Sequence, residues 1–141
     1  MDRYGRHRDL LSDEAWERLC GVTCVVAGVG GLGSTVVSLL ARLGPVKLEL
    51  WDPGIVDEPD LNRQLLYGWT DVGRRKTTAA VREVQRVNPE VHVTGHPETL
   101  TRTSYNQERG PGPGTAGAGS AGSPGPAVLF DCVDSLASRR E

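Results

Sequence analysis

The run Gly28-Val29-Gly30-Gly31-Leu32-Gly33-Ser34 constrains this chain more than any other. It follows an apolar stretch, Val22 to Ala27, and precedes a helix-like one, Leu32 to Leu43, that Gly44-Pro45 ends. Strand, glycine turn and helix in that order make a phosphate cradle. Small residues let the backbone approach an anion, and the helix N-terminus offers unpaired N–H donors. A second apolar stretch, Val46 to Trp51, closes on Asp52, about twenty residues beyond Gly33, where an acid accepts from ribose hydroxyls. Alone, this pattern specifies a Rossmann-like nucleotide binder and nothing narrower.

Arg63 and Lys76 narrow it. A redox cofactor needs no pair of cations beyond the ribose acid, whereas a reaction that expels pyrophosphate is governed by charge neutralisation. Lys76 is also one of only two lysines among sixteen Lys and Arg residues. An ammonium at this position, in a chain that otherwise uses arginine, points to chemistry.

The 141 residues suffice for one modest core. A net charge of −2 leaves no basic face for nucleic acid. Three cysteines, Cys20, Cys24 and Cys132, make neither a disulfide framework nor a zinc site, and they read as reduced thiols of a cytoplasmic protein. Gly21 to Ala41 carries no charge, but its glycines and hydroxyls favour strand, turn and buried helix over a membrane span. Met1 to Glu17 is too charged for a secretory signal.

The expected fold is α/β, a Rossmann-like doubly wound, mainly parallel sheet that stops after its fourth strand. An N-terminal arm with a short helix occupies residues 1–20, the helix starting near Asp13 with Ser12 as N-cap. The nucleotide-binding domain spans 21–141. Its strands are expected at Val22–Ala27, Val46–Trp51, Val91–Thr94 and Ala127–Asp131, and its second long helix over Arg74–Val87, stopped by Asn88-Pro89. Thr99 to Glu108 has room for a helical turn or two. Residues 110–126, all Gly, Pro, Ala, Ser and Thr, read as a flexible surface insertion. A further helix is expected to begin at Ser135.

Taken in order, Arg3-Tyr4-Gly5-Arg6, the glycine turn, Asp52, Asp60-Leu61-Asn62-Arg63-Gln64, Asp71 to Lys76, Asn88-Pro89 and Asp131-Cys132-Val133-Asp134-Ser135 resemble the ThiF/MoeB/HesA family, bacterial relatives of ubiquitin-activating enzymes. The resemblance implies that Gly28, Gly30, Gly31, Gly33 and Asp52 hold ATP. It implies that Asp60, Leu61, Asn62 and Ser135 line the site and that Arg63 and Lys76 grip the phosphates. Asp134 would work with Mg2+, and Arg6 would reach into the partner subunit's site of a homodimer. The implied reaction joins the C-terminal Gly-Gly carboxylate of a small ubiquitin-like or sulfur-carrier protein to AMP and releases pyrophosphate.

Two departures from the family pattern matter. Asp60 stands where the family usually has Asn and sets a negative charge near polyphosphate, while Gly54 stands where a second acid is common. The residues also admit plainer roles. Arg6 with His7 and Arg8 makes a simple basic arm, Asp131 and Asp134 can cap a following helix, and Tyr4, Trp51 and Trp69 read as packing residues. His7, His92 and His96 lack ligand spacing. Two other functions use the same glycines: an NAD-dependent oxidoreductase, and a non-catalytic nucleotide-binding module.

Overall fold

A computed structural model describes residues 2–109 and 126–134. The run 110–126, apart from Pro126, and Ser135 with the helix expected from it lie outside the described residues.

Four parallel strands, β1 (Thr23–Ala27), β2 (Lys47–Trp51), β3 (His92–His96) and β4 (Ala127–Asp131), form one sheet in the order β3-β2-β1-β4. β1 is buried along its whole length, which explains why Thr23 to Ala27 reads as a continuous apolar run rather than an alternating one. The chain winds from β1 out to β3 and then returns to the other side of β1. The C-terminal ends of β1 and β4 therefore flank the switch point of the sheet, where open α/β folds bind ligands.

The N-terminal segment holds α1 (Gly5–Arg8) and α2 (Asp13–Cys20), the latter capped by Ser12, whose Oγ accepts from Ala15 N–H. α3 (Gly31–Leu43) follows the glycine turn, and α4 (Lys76–Val87) precedes β3. Both pack on the sheet face that carries Cys24, Val26, Leu48 and Leu50, with Val37, Leu40, Ala80 and Val84 completing the core. α5 (Arg102–Arg109) lies beside the opposite face, where Val25, Ala27 and Leu129 line an apolar cleft with Leu100 and Tyr105. The doubly wound expectation holds. Among the described residues no helix is long and apolar enough to cross a membrane.

β3 runs two residues beyond the expected Val91–Thr94 because its ladder to β2 continues through Leu50–Gly95 and Trp51–His96. Gly95 is the device: a Cβ there would come within 3.1 Å of Thr77 and Val81 on α4. The arm is docked rather than loose. Tyr4 is buried, and Asn88 Nδ2 donates to both its hydroxyl and the Ala41 carbonyl, at 2.8 Å each, while Arg3 Nη1 donates to Asn88 Oδ1. Trp51 is buried as expected, but Trp69 is 70% exposed, because the short helix carrying it turns Asp71 inward instead.

Candidate nucleotide site

At the switch point, Gly28, Gly30, Gly31, Asp52, Gly54, Asp60, Arg63, Gln64, Lys76 and Asp134 border one cleft of about 660 Å³. Trp51, Leu100, Cys132 and Val133 supply its apolar walls, with Thr99 beside them. Residues far apart in the chain thus converge at the ends of β1, β2 and β4. Gly33, Leu61, Asn62 and Arg6 are not part of the described lining. Gly33 is buried behind the turn, Leu61 packs on the core, Asn62 accepts from Arg63, and Arg6 is exposed on α1.

The turn is built by backbone needs. Gly28 has φ +85°, and a Cβ there would touch the Cys132 carbonyl, so only glycine fits between β1 and the segment after β4. A Cβ on Gly33 would overlap the Gly28 carbonyl oxygen, which is how α3 sits directly against the turn.

Asp52 braces that turn. Its Oδ2 accepts from Val29 N–H at 2.9 Å and its Oδ1 from Gly54 N–H at 2.7 Å. Each oxygen keeps acceptor capacity for a sugar hydroxyl. At Gly54 a Cβ would lie 2.8 Å from Asp52 Oδ1 and against the Lys76 stem, so a side chain there would shift both.

Behind the turn, the buried Tyr67 donates its hydroxyl to the Val29 carbonyl at 2.8 Å, and Leu65 N–H donates to Ser34 Oγ. Burial, together with the Asp52, Asp60 and Asp71 charges, pushes the Tyr67 phenol far above its ordinary range, so it stays a donor. Sequence reasoning misses Tyr67, whose one signal is a polar-tipped aromatic just beyond Arg63. Tyr67→Phe leaves the Val29 carbonyl without this donor and should cost about 1–3 kcal/mol of stability. Urea unfolding measures it.

Arg63 closes the short helix Glu58–Asn62, with its stem against Gly31 and its Nη1 donating to the Pro59 carbonyl and Asn62 Oδ1. Its side chain is 58% exposed and free to follow a ligand. Lys76 is the first residue of α4. Its N–H donates to the Gly54 carbonyl, and its ammonium reaches Asp60 Oδ2 at 3.1 Å. Asp71, which accepts from Gly68 N–H, pairs with Arg82 midway along α4.

Burial raises the Asp60 carboxyl, but the Asp57 N–H, the Lys76 ammonium and the Arg63 charge outweigh it and hold the group below its usual range. Cys132 is pushed up by burial and by Asp131, which leaves a thiol rather than a nucleophilic thiolate.

A glycine turn, a braced acid and two cations thus border one cleft, and the family model described as "ThiF family" matches residues 4–141. The chain belongs to the ThiF family. It is 37% identical over 103 residues to a sulfur carrier protein adenylyltransferase of Thermus thermophilus, covering 72% of this chain and 38% of that protein. It is 34% identical over 124 residues to ubiquitin-like modifier-activating enzyme 5 of Drosophila persimilis, covering 88% of this chain and 32% of that one. The E. coli tRNA N6-threonylcarbamoyladenosine dehydratase TcdA in complex with ATP superposes with a TM-score of 0.74 at 27% identity, over 95% of this chain and 50% of that chain. This chain therefore spans about a third of those two relatives and half of that structure.

Proposed function

We propose that this ThiF-family chain takes part in ATP-dependent adenylation of the C-terminal carboxylate of a small ubiquitin-like or sulfur-carrier protein ending in Gly-Gly. One observation carries the proposal: Arg63 and Lys76 border the same cleft as the glycine turn and Asp52. A nucleotide whose ribose hydroxyls donate to Asp52 and whose phosphates follow the turn would run its polyphosphate toward both cations. The names of the Thermus and Drosophila relatives support the same reaction class and partner.

In this reading a carboxylate oxygen attacks the α-phosphorus, the bond to the β-phosphate breaks, and pyrophosphate leaves. Lys76 and Arg63 stabilise the charge on the departing oxygens. The N–H groups of the turn and the start of α3 hold the phosphate path, and the apolar walls keep water from the acyl-adenylate. Mg2+ supplies further positive charge to the phosphates when bound. Asp134, which borders the cleft, would be the carboxylate to hold this ion beside the phosphates.

An NAD-dependent oxidoreductase would use Asp52 and the glycines and leave both cations idle; a non-catalytic module would bind ATP without turnover. Carrier-dependent exchange of label between pyrophosphate and ATP is the expected result for adenylation. ATP binding without exchange would leave the module reading.

We also propose a cytoplasmic homodimer in which Arg6 acts across the interface. Its support is the Arg3-Tyr4-Gly5-Arg6 arm before the first strand, which carries part of the family resemblance, with Arg6 exposed on α1. Mixing Arg6→Ala with Lys76→Ala protein should then restore part of the activity through hybrid dimers. No restoration on mixing would refute action across the interface.

A further inference from the structure

Lys76, the cation proposed to meet polyphosphate, is already engaged. Its ammonium lies 3.1 Å from Asp60 Oδ2, and both side chains are only 14% exposed, so the attraction is little screened by solvent. Asp60 itself is fixed. Asp57 N–H donates to Oδ2 at 3.1 Å, Gln64 Nε2 donates to Oδ1 at 2.7 Å, and Arg63 Nη2 stands 3.9 Å from Oδ1. Two of these contacts belong to elements that Asp60 organises: it is the reciprocal residue of the capping box that starts the short helix at Glu58, and it anchors the buried Gln64. The carboxylate is not free to swing away when an anion arrives. Lys76, on a flexible stem, is the mobile member of the pair.

We infer that Asp60 is an internal competitor for Lys76, a positioning residue that weakens the grip on the β- and γ-phosphates and favours release of pyrophosphate. The inference rests on the proposed ATP reading of the cleft. Polyphosphate entering the cleft must draw the ammonium from a carboxylate of like charge to itself, and that carboxylate remains beside the bound anion. When pyrophosphate leaves, the same carboxylate takes the ammonium back. An uncharged amide at position 60 would keep an oxygen for the Asp57 cap but could not compete for the cation. AMP, which lacks the two outer phosphates, would not meet the pair.

Calorimetric titration of wild-type and Asp60→Asn protein with pyrophosphate, ATP and AMP, each with magnesium present, tests this. Asp60→Asn is expected to bind pyrophosphate and ATP about tenfold tighter and AMP unchanged, with the gain lost in a Lys76→Met background. Unchanged or weaker pyrophosphate binding by Asp60→Asn, with AMP unaffected, overturns the inference and leaves Asp60 a helix cap. Wild-type protein that binds neither ATP nor AMP sinks the nucleotide reading and the inference with it. Should the variant fail to fold, the wild type decides the matter by itself. With only Lys47 and Lys76 to assign, the Lys76 ammonium NMR signal must move on saturation with pyrophosphate, and a static signal overturns the inference.

Discussion

Replacing Lys76 or Arg63 by alanine should slow adenylation by about 10²–10³-fold, the scale for removing one preorganised charge aimed at developing anionic oxygens. The two losses should not be equal. Arg63 is half-exposed and bonded to carbonyl and amide oxygens, and its contact with Asp60 is the longer one at 3.9 Å, so its removal takes away one cation and a weaker ion pair. Removing Lys76 also takes the nearer cation from Asp60, which then faces the phosphates with only the Arg63 guanidinium, 3.9 Å away, beside it. Lys76→Ala should therefore be the slower of the two, and adding Asp60→Asn to it should recover part of the rate. Single-turnover measurement of acyl-adenylate formation separates these outcomes. Equal rates for Lys76→Ala with and without Asp60→Asn would show that Asp60 plays no part in the phosphate contact.

The second large effect is structural. Gly33→Ala should destabilise the fold by about 3–5 kcal/mol, because its methyl group would overlap the Gly28 carbonyl oxygen with no side chain in between to yield. Relief would require α3 to lift from the turn. That in turn would pull on the Tyr67–Val29 and Leu65–Ser34 contacts that tie the Arg63 loop to it. Chemical denaturation reads the stability loss, and ATP binding should fall with it. A Gly33→Ala protein of wild-type stability would mean that the turn is looser than these contacts require.

What is legible in the amino-acid sequence and what is hidden divide along a physical line. The glycine turn, Asp52 and the end of α4 are legible because each answers a local backbone demand: positive φ at Gly28, a strand end before Asp52, and the Asn88-Pro89 stop after Val87; the helix expected from Arg74 starts two residues later, at Lys76, whose N–H is taken by the Gly54 carbonyl. The four strands are legible from apolar runs, except that β3 outlasts its run at Gly95, whose missing side chain makes room for α4. Contacts between segments are not legible. Nothing in the order of residues says that Asp52 turns both oxygens onto backbone N–H groups, that Asp60 holds Lys76, or that Tyr67 supports the turn from behind. Trp69 departs from its expected packing role for a related reason: an aromatic residue on a short surface helix is directed by its neighbours, here the inward Asp71.

A site that moves AMP onto a carboxylate reveals itself in the fate of labelled phosphate. The protein is incubated with a Gly-Gly-ended carrier and ATP labelled at either the α- or the γ-phosphate. The carrier should acquire the α-label and never the γ-label, with labelled pyrophosphate released only from γ-labelled ATP. A carrier that stays unlabelled while the protein oxidises NADH would contradict the account and return the glycine turn and Asp52 to redox chemistry.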